Sequence, residues 1–169
     1  MSTLADRQDA VNESIADPAA RTAAGDAFSA LVTRVFRLNG LLAAEGESLA
    51  RPAGQTTARW QLLAMVENGP ATVAQTARTL GLARQSVQRV ADVLEAAGLV
   101  VFTDNPHHRR ARLVGLTDAG RRALSEIQAA QRPWANAIGR GIGANDLRKA
   151  TEVLDRLLGV MAARRARDV

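Results

Sequence analysis

The sequence predicts a mainly α-helical fold with one small β-hairpin. Over most of the chain, apolar residues recur at steps of three and four, the spacing of one helix face. Alanine-rich runs favour helices. Because aromatic residues make up only 3% of the 169 residues, the core must consist mainly of Leu, Val and Ala. Two short β-branched and apolar runs, 99–103 and 111–116, flank a turn-rich segment and predict the hairpin.

The first fifty residues are predicted to form a tail followed by one helix. Residues 1–16 are polar and acidic, which predicts a flexible N-terminal tail or, alternatively, a loosely attached extra helix. Asp17-Pro18 is a favourable helix start, because an N-cap residue precedes a Pro at the first helical position. The apolar residues of the helix predicted over 17–50 are Phe28, Leu31, Val32, Val35, Leu38 and Leu42. Residues 51–54 then form a linker.

A helix-turn-helix is predicted after a first core helix, which Thr56 is placed to cap. The core-facing residues of that first helix are Trp60, Leu63 and Val66. In the helix-turn-helix, Ala77 is small enough for close helix approach, and Gly81 can take the left-handed backbone of a sharp turn. The core face of the second helix consists of Val87, Val90, Ala91 and Leu94. An ordinary packed corner of two helices is the alternative for this pattern taken alone.

A basic hairpin is predicted directly after these helices. Gly98 ends the second helix, and the two strands enclose the tip 104–110 (Asp-Asn-Pro-His-His-Arg-Arg). A helix-turn-helix followed by such a hairpin is a winged helix, which defines a domain over 55–117. The arginines expected at the minor groove, where the potential is most negative over A·T-rich sequence, are Arg109, Arg110 and Arg112. A solvated charge pair is the alternative interpretation of Arg109-Arg110 alone.

The outward face of the second helix is predicted to bind DNA. It is rich in hydrogen-bond donors and acceptors, which suits the base-pair edges of the major groove. Gln85, Gln88 and Arg89 are expected to contact bases or adjacent phosphates. Arg84 and Ser86 are expected closer to the DNA backbone.

From about Thr56 to Gly120 the chain resembles the MarR family of bacterial transcription regulators. The matching stretches are Thr56–Leu63, Gly81–Arg89, Asp92–Val100 and Asn105–Thr117. No single stretch identifies the family, but the four stretches in this order are quite specific to it. The resemblance implies a homodimer with interleaved N- and C-terminal helices, bound to double-stranded DNA and regulated by a small molecule. Repression of a near-palindromic operator is the expected activity.

The chain departs from the family pattern in the wing and at the start of the second helix. The family wing usually reads Asp-x-Arg-Asp-x-Arg, whereas His107 and His108 here replace an Arg and an Asp. The family Asp often braces a wing arginine, and His108 cannot act as that carboxylate. Ala83 stands where the family often has a capping Ser, and the lost cap costs about 1 kcal/mol.

Composition and charge agree with a DNA-binding protein. The net charge is +5, with −3 on residues 1–50, +4 on 51–112 and +4 on 113–169. Without Cys there is no disulfide and no thiol-based oxidation sensing. No apolar stretch is expected to span a bilayer and no signal peptide is evident, so a cytoplasmic location without membrane binding is predicted.

The C-terminal segment 118–163 is predicted to form dimerisation helices. Thr117 caps a long helix that Pro133 should kink, with a seam for another helix at Leu124, Ile127, Gln131, Trp134 and Ile138. A final helix begins near Asn145. These helices offer more apolar surface than one winged helix can cover, although burial within one chain is the alternative. Trp60 and Trp134 are candidates to line a ligand pocket, with a core role favoured for both.

An enzyme and an architectural DNA-binding protein are the two alternative functional classes for this sequence. For an enzyme, Gly139–Ala144 matches Gly-x-Gly-x-x-Ala, but a predicted helix rather than a strand precedes it. A flexible loop between two helices is the predicted reason for these glycines. His107 and His108 are too few for a closed zinc site and belong to no nucleophile–base set, so no catalytic residue, cofactor or metal is predicted. A sequence-independent architectural DNA-binding protein shares the basic winged helix. The glutamines of the second helix favour a regulator, because phosphate-only binding would not require them.

Overall fold

The computed structural model describes residues 21–106, 108 and 110–167. Its helices are α1 (Ala23–Ala50), α2 (Thr57–Met65), α3 (Val73–Leu80), α4 (Arg84–Ala96), α5 (Asp118–Ile142) and α6 (Ala144–Arg167), with a 3₁₀ turn at Arg51–Ala53. Its strands are β1 (Ala71–Thr72), β2 (Val100–Thr103) and β3 (Leu113–Leu116). The chain divides into two compact units between Glu45 and Gly46. The predicted tail 1–16 and the helix start at Asp17-Pro18 lie outside the described residues.

The sheet contains three antiparallel strands in the order β1-β3-β2. In the central strand, Val114 pairs with Phe102 of β2 on one side and with Ala71 of β1 on the other. The predicted hairpin is therefore present, although both of its strands are shorter than expected. Strand β1 was not predicted, because two residues are too few to produce a recognisable alternation.

Local hydrogen bonds form the helix-turn-helix corner. Thr72 and Gln75 make a reciprocal capping box at the start of α3. The backbone amide of Gln75 donates to Thr72 Oγ1 at 3.2 Å, and the backbone amide of Thr72 donates to Gln75 Oε1 at 2.8 Å. Gly81 ends α3 with φ 67°, and the next amide, that of Leu82, donates to the Ala77 carbonyl at 2.9 Å. The predicted turn at Gly81 and close packing at Ala77 are confirmed.

The hydrophobic core lies in the second unit and joins the helix-turn-helix to the sheet and to α5. Its buried residues are Leu62, Leu63, Val66, Val73, Ala77, Val87, Ala91, Leu94, Val100, Val114, Leu116 and Leu124. Each fully buried Leu or Val contributes about 1.5–3 kcal/mol relative to an exposed one. The buried face of α4 is the predicted one. Its opposite face is left free for solvent or a ligand.

The junction between α4, the sheet and α5 is closely packed around Gly120. Thr117 caps α5 as predicted, accepting from the Gly120 amide at 3.0 Å, and donates its hydroxyl to the Gly98 carbonyl at 2.7 Å. A Cβ atom on Gly120 would lie 1.9 Å from the Leu99 carbonyl oxygen. The junction therefore requires glycine here, and it holds the base of the hairpin beside the end of α4.

An arginine at the first turn of α5 strengthens this junction. Arg121 donates to the Leu116 carbonyl at 3.1 Å and to the Asp118 carboxylate at 2.7 Å. The Arg121 hydrogen bond and charge hold the pKa of Asp118 below its ordinary value. Asp118 thus stays negative at a helix N-terminus, where the helix dipole favours negative charge.

In the first unit, helix α1 carries uncovered apolar side chains. Its exposed large apolar residues include Phe28, Val35, Phe36, Leu38, Leu41 and Leu42. The segment Ala23–Ala53, with a mean hydropathy of 1.2 over its most apolar window, is long and apolar enough to cross a membrane. The expectation that no stretch could do so is wrong on length and composition. One such helix is by itself weak evidence for a membrane span, and none of its most apolar window is buried within the single chain.

In the second unit, helix α6 carries a second uncovered apolar face. None of its described residues is buried. Its exposed apolar residues are Leu147, Val153, Leu154, Leu158, Val160 and Met161. At its start, Gly143 (φ 94°) forms the junction with α5, whereas Gly139 and Gly141 lie inside α5. The glycine-rich segment is thus mostly helical rather than the predicted interhelical loop. A helix precedes it, as expected, so it lacks the geometry of a dinucleotide-binding turn.

Candidate nucleic-acid interface

Helix α4 presents the predicted polar face outward. Arg84, Gln85, Ser86 and Arg89 are exposed and Gln88 is half-buried. On the opposite side Val87, Ala91 and Leu94 are at most 3% exposed. The N-cap residue Ala83 makes no side-chain hydrogen bond, as expected for a helix without a capping Ser. The helix is therefore anchored by its apolar face, and its donors and acceptors are accessible.

Gln88 differs from the other residues of this face because another side chain holds it. Its Nε2 atom donates to Oδ1 of Asp92 at 2.7 Å. Residues four apart on a helix are neighbours, so this spacing could have revealed the pair in the sequence. Asp92 was not among the predicted site residues of α4, all of which are arginines, glutamines or serine.

The described arginines of the wing, Arg110 and Arg112, have different surroundings. Arg110 is exposed at the tip, whereas His107 and Arg109 lie outside the described residues. Arg112 is also exposed. Its Nη2 atom donates to the Phe102 carbonyl at 2.9 Å, and its guanidinium lies over the Phe102 ring. Arg112 therefore braces the base of the wing.

A cleft of about 200 Å³ separates α4 from the wing. Its cationic residues are Arg84 on α4 and Arg110 and Arg112 on the wing, and Gln88 also lines it. Asp92 and Glu95 line it from the C-terminal half of α4. The positive charge on α4 thus lies toward its N-terminal end, the end that enters the major groove in helix-turn-helix proteins.

The two tryptophans have different surroundings. Trp60 is half-buried and packs against the hydrophobic core, which agrees with the core role favoured for it. Trp134 is half-buried on α5 and does not belong to that core. Neither tryptophan lines the cleft between α4 and the wing. A ligand pocket at either tryptophan would therefore be distinct from that cleft.

Comparison with known proteins identifies the class of this fold. A sequence model of the MarR family matches residues 53–111. A curated Mycobacterium tuberculosis relative, described as an uncharacterized protein, is 40% identical over 140 residues, which cover 83% of this chain and 98% of the relative.

Two solved structures are similar in fold. CouR from Rhodococcus jostii RHA1, bound to p-coumaroyl-CoA, is 22% identical with a TM-score of 0.69, and the match covers 75% of this chain and 90% of CouR. The Mycobacterium tuberculosis transcriptional regulator MOSR, in complex with DNA, is 21% identical with a TM-score of 0.64, and the match covers 77% and 96% of the two chains.

The winged helix-turn-helix fold, together with the family match, defines the class of protein as a DNA-binding transcription regulator. The chain belongs to the MarR family. The prediction of a MarR-type winged helix from the sequence is confirmed.

Proposed function

We propose that this protein is a homodimeric repressor that binds a near-palindromic operator and dissociates from it when a small molecule binds. The observation that carries the proposal is the exposed face of α4, where Gln85 and Arg89 stand opposite a buried apolar face. Amide and guanidinium groups make the hydrogen-bond pairs that distinguish bases in the major groove. An operator covered by such a complex is inaccessible to RNA polymerase, which favours repression.

The uncovered apolar faces of α1 and α6 support a dimer. Exposed contiguous apolar surface commonly marks an interaction site, and a second copy of the chain supplies equivalent apolar helices. A dimer also accounts for the apolar character of α1 without a membrane, and the proposed location is the cytoplasm. Light scattering at micromolar concentration should give twice the chain mass of 17.9 kDa. A monomer would refute the dimer.

A two-fold dimer determines the form of the operator. The two α4 helices of a dimer can enter successive major grooves when they are about 34–36 Å apart, which is one turn of B-DNA. The operator is therefore a near-palindrome with half-sites one turn apart. Arg109 and Arg110 of each wing are proposed to lie at the adjacent minor grooves, with Arg84 and Ser86 near phosphates.

A small-molecule effector is proposed because the family includes ligand-bound members. CouR was solved with p-coumaroyl-CoA, and Trp60 and Trp134 are the proposed reporters of a pocket in this chain. Phenolic and lipophilic compounds should be screened for tryptophan quenching and for release of bound operator DNA. A broad panel that produces neither effect would count against ligand control.

The decisive experiment is a nuclease footprint on the promoter region beside the protein's own gene. One protected near-palindrome is expected, and it should disappear in Arg89→Ala. Uniform protection along the fragment would instead favour the architectural DNA-binding protein, which binds phosphates without reading bases.

A further inference from the structure

Asp92 and Gln88 lie one turn apart on the DNA-facing side of α4. The 2.7 Å hydrogen bond runs from the Gln88 amide nitrogen to the Asp92 carboxylate. If the amide were turned over, its oxygen would face the carboxylate at this distance, and two acceptors would repel each other. Asp92 thus determines which end of the Gln88 amide points away from the helix. The oxygen then points away from Asp92, and Nε2 keeps one N–H that Asp92 does not use.

The carboxylate of Asp92 is not used to neutralise the arginines of the cleft. Arg84, Arg110 and Arg112 line the same cleft, yet in the part of the chain that the structure describes Asp92 makes no ion pair with them, and its hydrogen bond goes to Gln88. A carboxylate beside a DNA-binding surface also repels phosphates. Any contribution of Asp92 to DNA binding would therefore act through the Gln88 amide that it holds.

We propose that Asp92 is a positioning residue that makes Gln88 a hydrogen-bond acceptor toward DNA, so that the protein selects a base with an exocyclic amino group. Adenine N6 and cytosine N4 donate in the major groove, whereas guanine O6 and thymine O4 accept. The outward Gln88 oxygen pairs with the first two and is repelled by the others. The proposal rests on the sequence-specific DNA binding proposed above, and it adds the base class that one residue reads.

The test is selection of binding sites from a random-sequence DNA duplex library by the full-length protein. The wild type is compared with Asp92→Asn, Gln88→Ala and a matched control, Glu95→Gln. Asp92→Asn and Glu95→Gln each remove one negative charge from the same cleft, but only Asp92 holds Gln88. Asn can donate as well as accept, so it allows the Gln88 amide to turn over.

The wild type is expected to prefer amino-bearing bases about tenfold at one position of each half-site, the size of one good base contact. Gln88→Ala should erase that preference, which identifies the position. Asp92→Asn should reduce it to below about threefold while the other positions keep their preferences. Glu95→Gln should leave the whole motif unchanged. Binding of each variant to non-specific duplex at low salt checks that the fold is intact.

The outcomes separate this inference from the proposed function. If Asp92→Asn keeps the full preference at the position erased by Gln88→Ala, Asp92 does not position Gln88 and the inference is overturned. It is also overturned if Gln88→Ala changes no position, or if Glu95→Gln weakens the preference as much as Asp92→Asn does. If the wild type enriches no motif, the proposed sequence-specific function fails first, and the inference fails with it.

Discussion

Arg112 closes the base of the wing by binding Phe102 on the neighbouring strand. Its Nη2 atom lies 2.9 Å from the Phe102 carbonyl oxygen, and its guanidinium carbon lies 5.0 Å from the centre of the Phe102 ring. The strand register pairs Thr103 with Leu113, next to both residues. One side chain thus joins the backbone of β2 to the start of β3 through a hydrogen bond and a cation–π contact.

Replacing Arg112 by Lys should weaken the wing without changing its charge. Lys lacks the planar fork that both donates to the carbonyl and stacks on the ring. The free energy of unfolding should fall by about 0.5–1 kcal/mol, the range of an exposed cation–π contact. Chemical denaturation measures this change, with Arg110→Lys at the exposed tip as the control. The fall in unfolding free energy caused by Arg112→Lys should be smaller when Phe102 is replaced by Leu. An equal fall in both backgrounds would show that the contact with the Phe102 ring does not contribute.

Gly120→Ala should strongly destabilise the domain. The new Cβ would lie 1.9 Å from the Leu99 carbonyl, so α5 or the start of β2 must move, and the cost should exceed about 3 kcal/mol, more than ordinary overpacking. Gly139→Ala is the matched control, because nothing lies within 4 Å of its Cβ position inside α5. That change should stabilise by about 0.5–1 kcal/mol. Thermal unfolding of both variants gives the comparison, and similar stabilities would contradict the packing at Gly120.

Ala83→Ser should stabilise α4. Ala83 is the N-cap residue and makes no side-chain hydrogen bond, so a Ser hydroxyl could accept from an amide of the first turn. The expected gain in unfolding free energy is about 0.5–2 kcal/mol. Ala96→Ser, at the other end of the same helix, should bring no gain because Ser cannot act as an N-cap there. Equal effects of the two substitutions would argue against a capping deficit.

Arg89→Ala should weaken binding to the operator more than binding to unrelated DNA. If Arg89 contacts a base edge, the loss is about 1–3 kcal/mol and specificity relaxes at one position. Arg132→Ala removes the same charge from an exposed site on α5 and should have little effect. Fluorescence anisotropy at fixed salt measures both. A uniform loss over all sequences would assign Arg89 to a phosphate instead.

The double substitution Arg109→Ala, Arg110→Ala should reduce operator affinity at physiological salt. Each arginine that neutralises phosphate charge, including one that enters the minor groove between two phosphate backbones, contributes about one unit to the slope of log affinity against log salt. The slope should therefore fall by about two units, whereas Arg164→Ala, Arg165→Ala at the end of α6 should leave it nearly unchanged. Intact affinity in the wing variant would refute the wing assignment.

The helix-turn-helix and the starts of α2 and α5 could be predicted because their determinants are local. Thr56 and Thr117 cap their helices, Gly81 turns the chain, and the apolar face of α4 repeats at helical spacing. Such features depend on residues no more than about one or two helical turns apart. The MarR resemblance depends on the same segments, so the sequence alone predicts both the fold and the family.

The chain itself thus determined the winged helix and the polar face of α4, since capping, helical periodicity and turn chemistry act over a few residues. Only the tertiary structure decided that Arg112 braces Phe102, that Gly120 must lack a side chain beside Leu99, and that β1 joins the sheet through β3. These relationships join residues that lie at least ten positions apart. They exist only after the elements have packed, when steric fit and pairing of buried polar groups select one arrangement that local preference leaves undetermined.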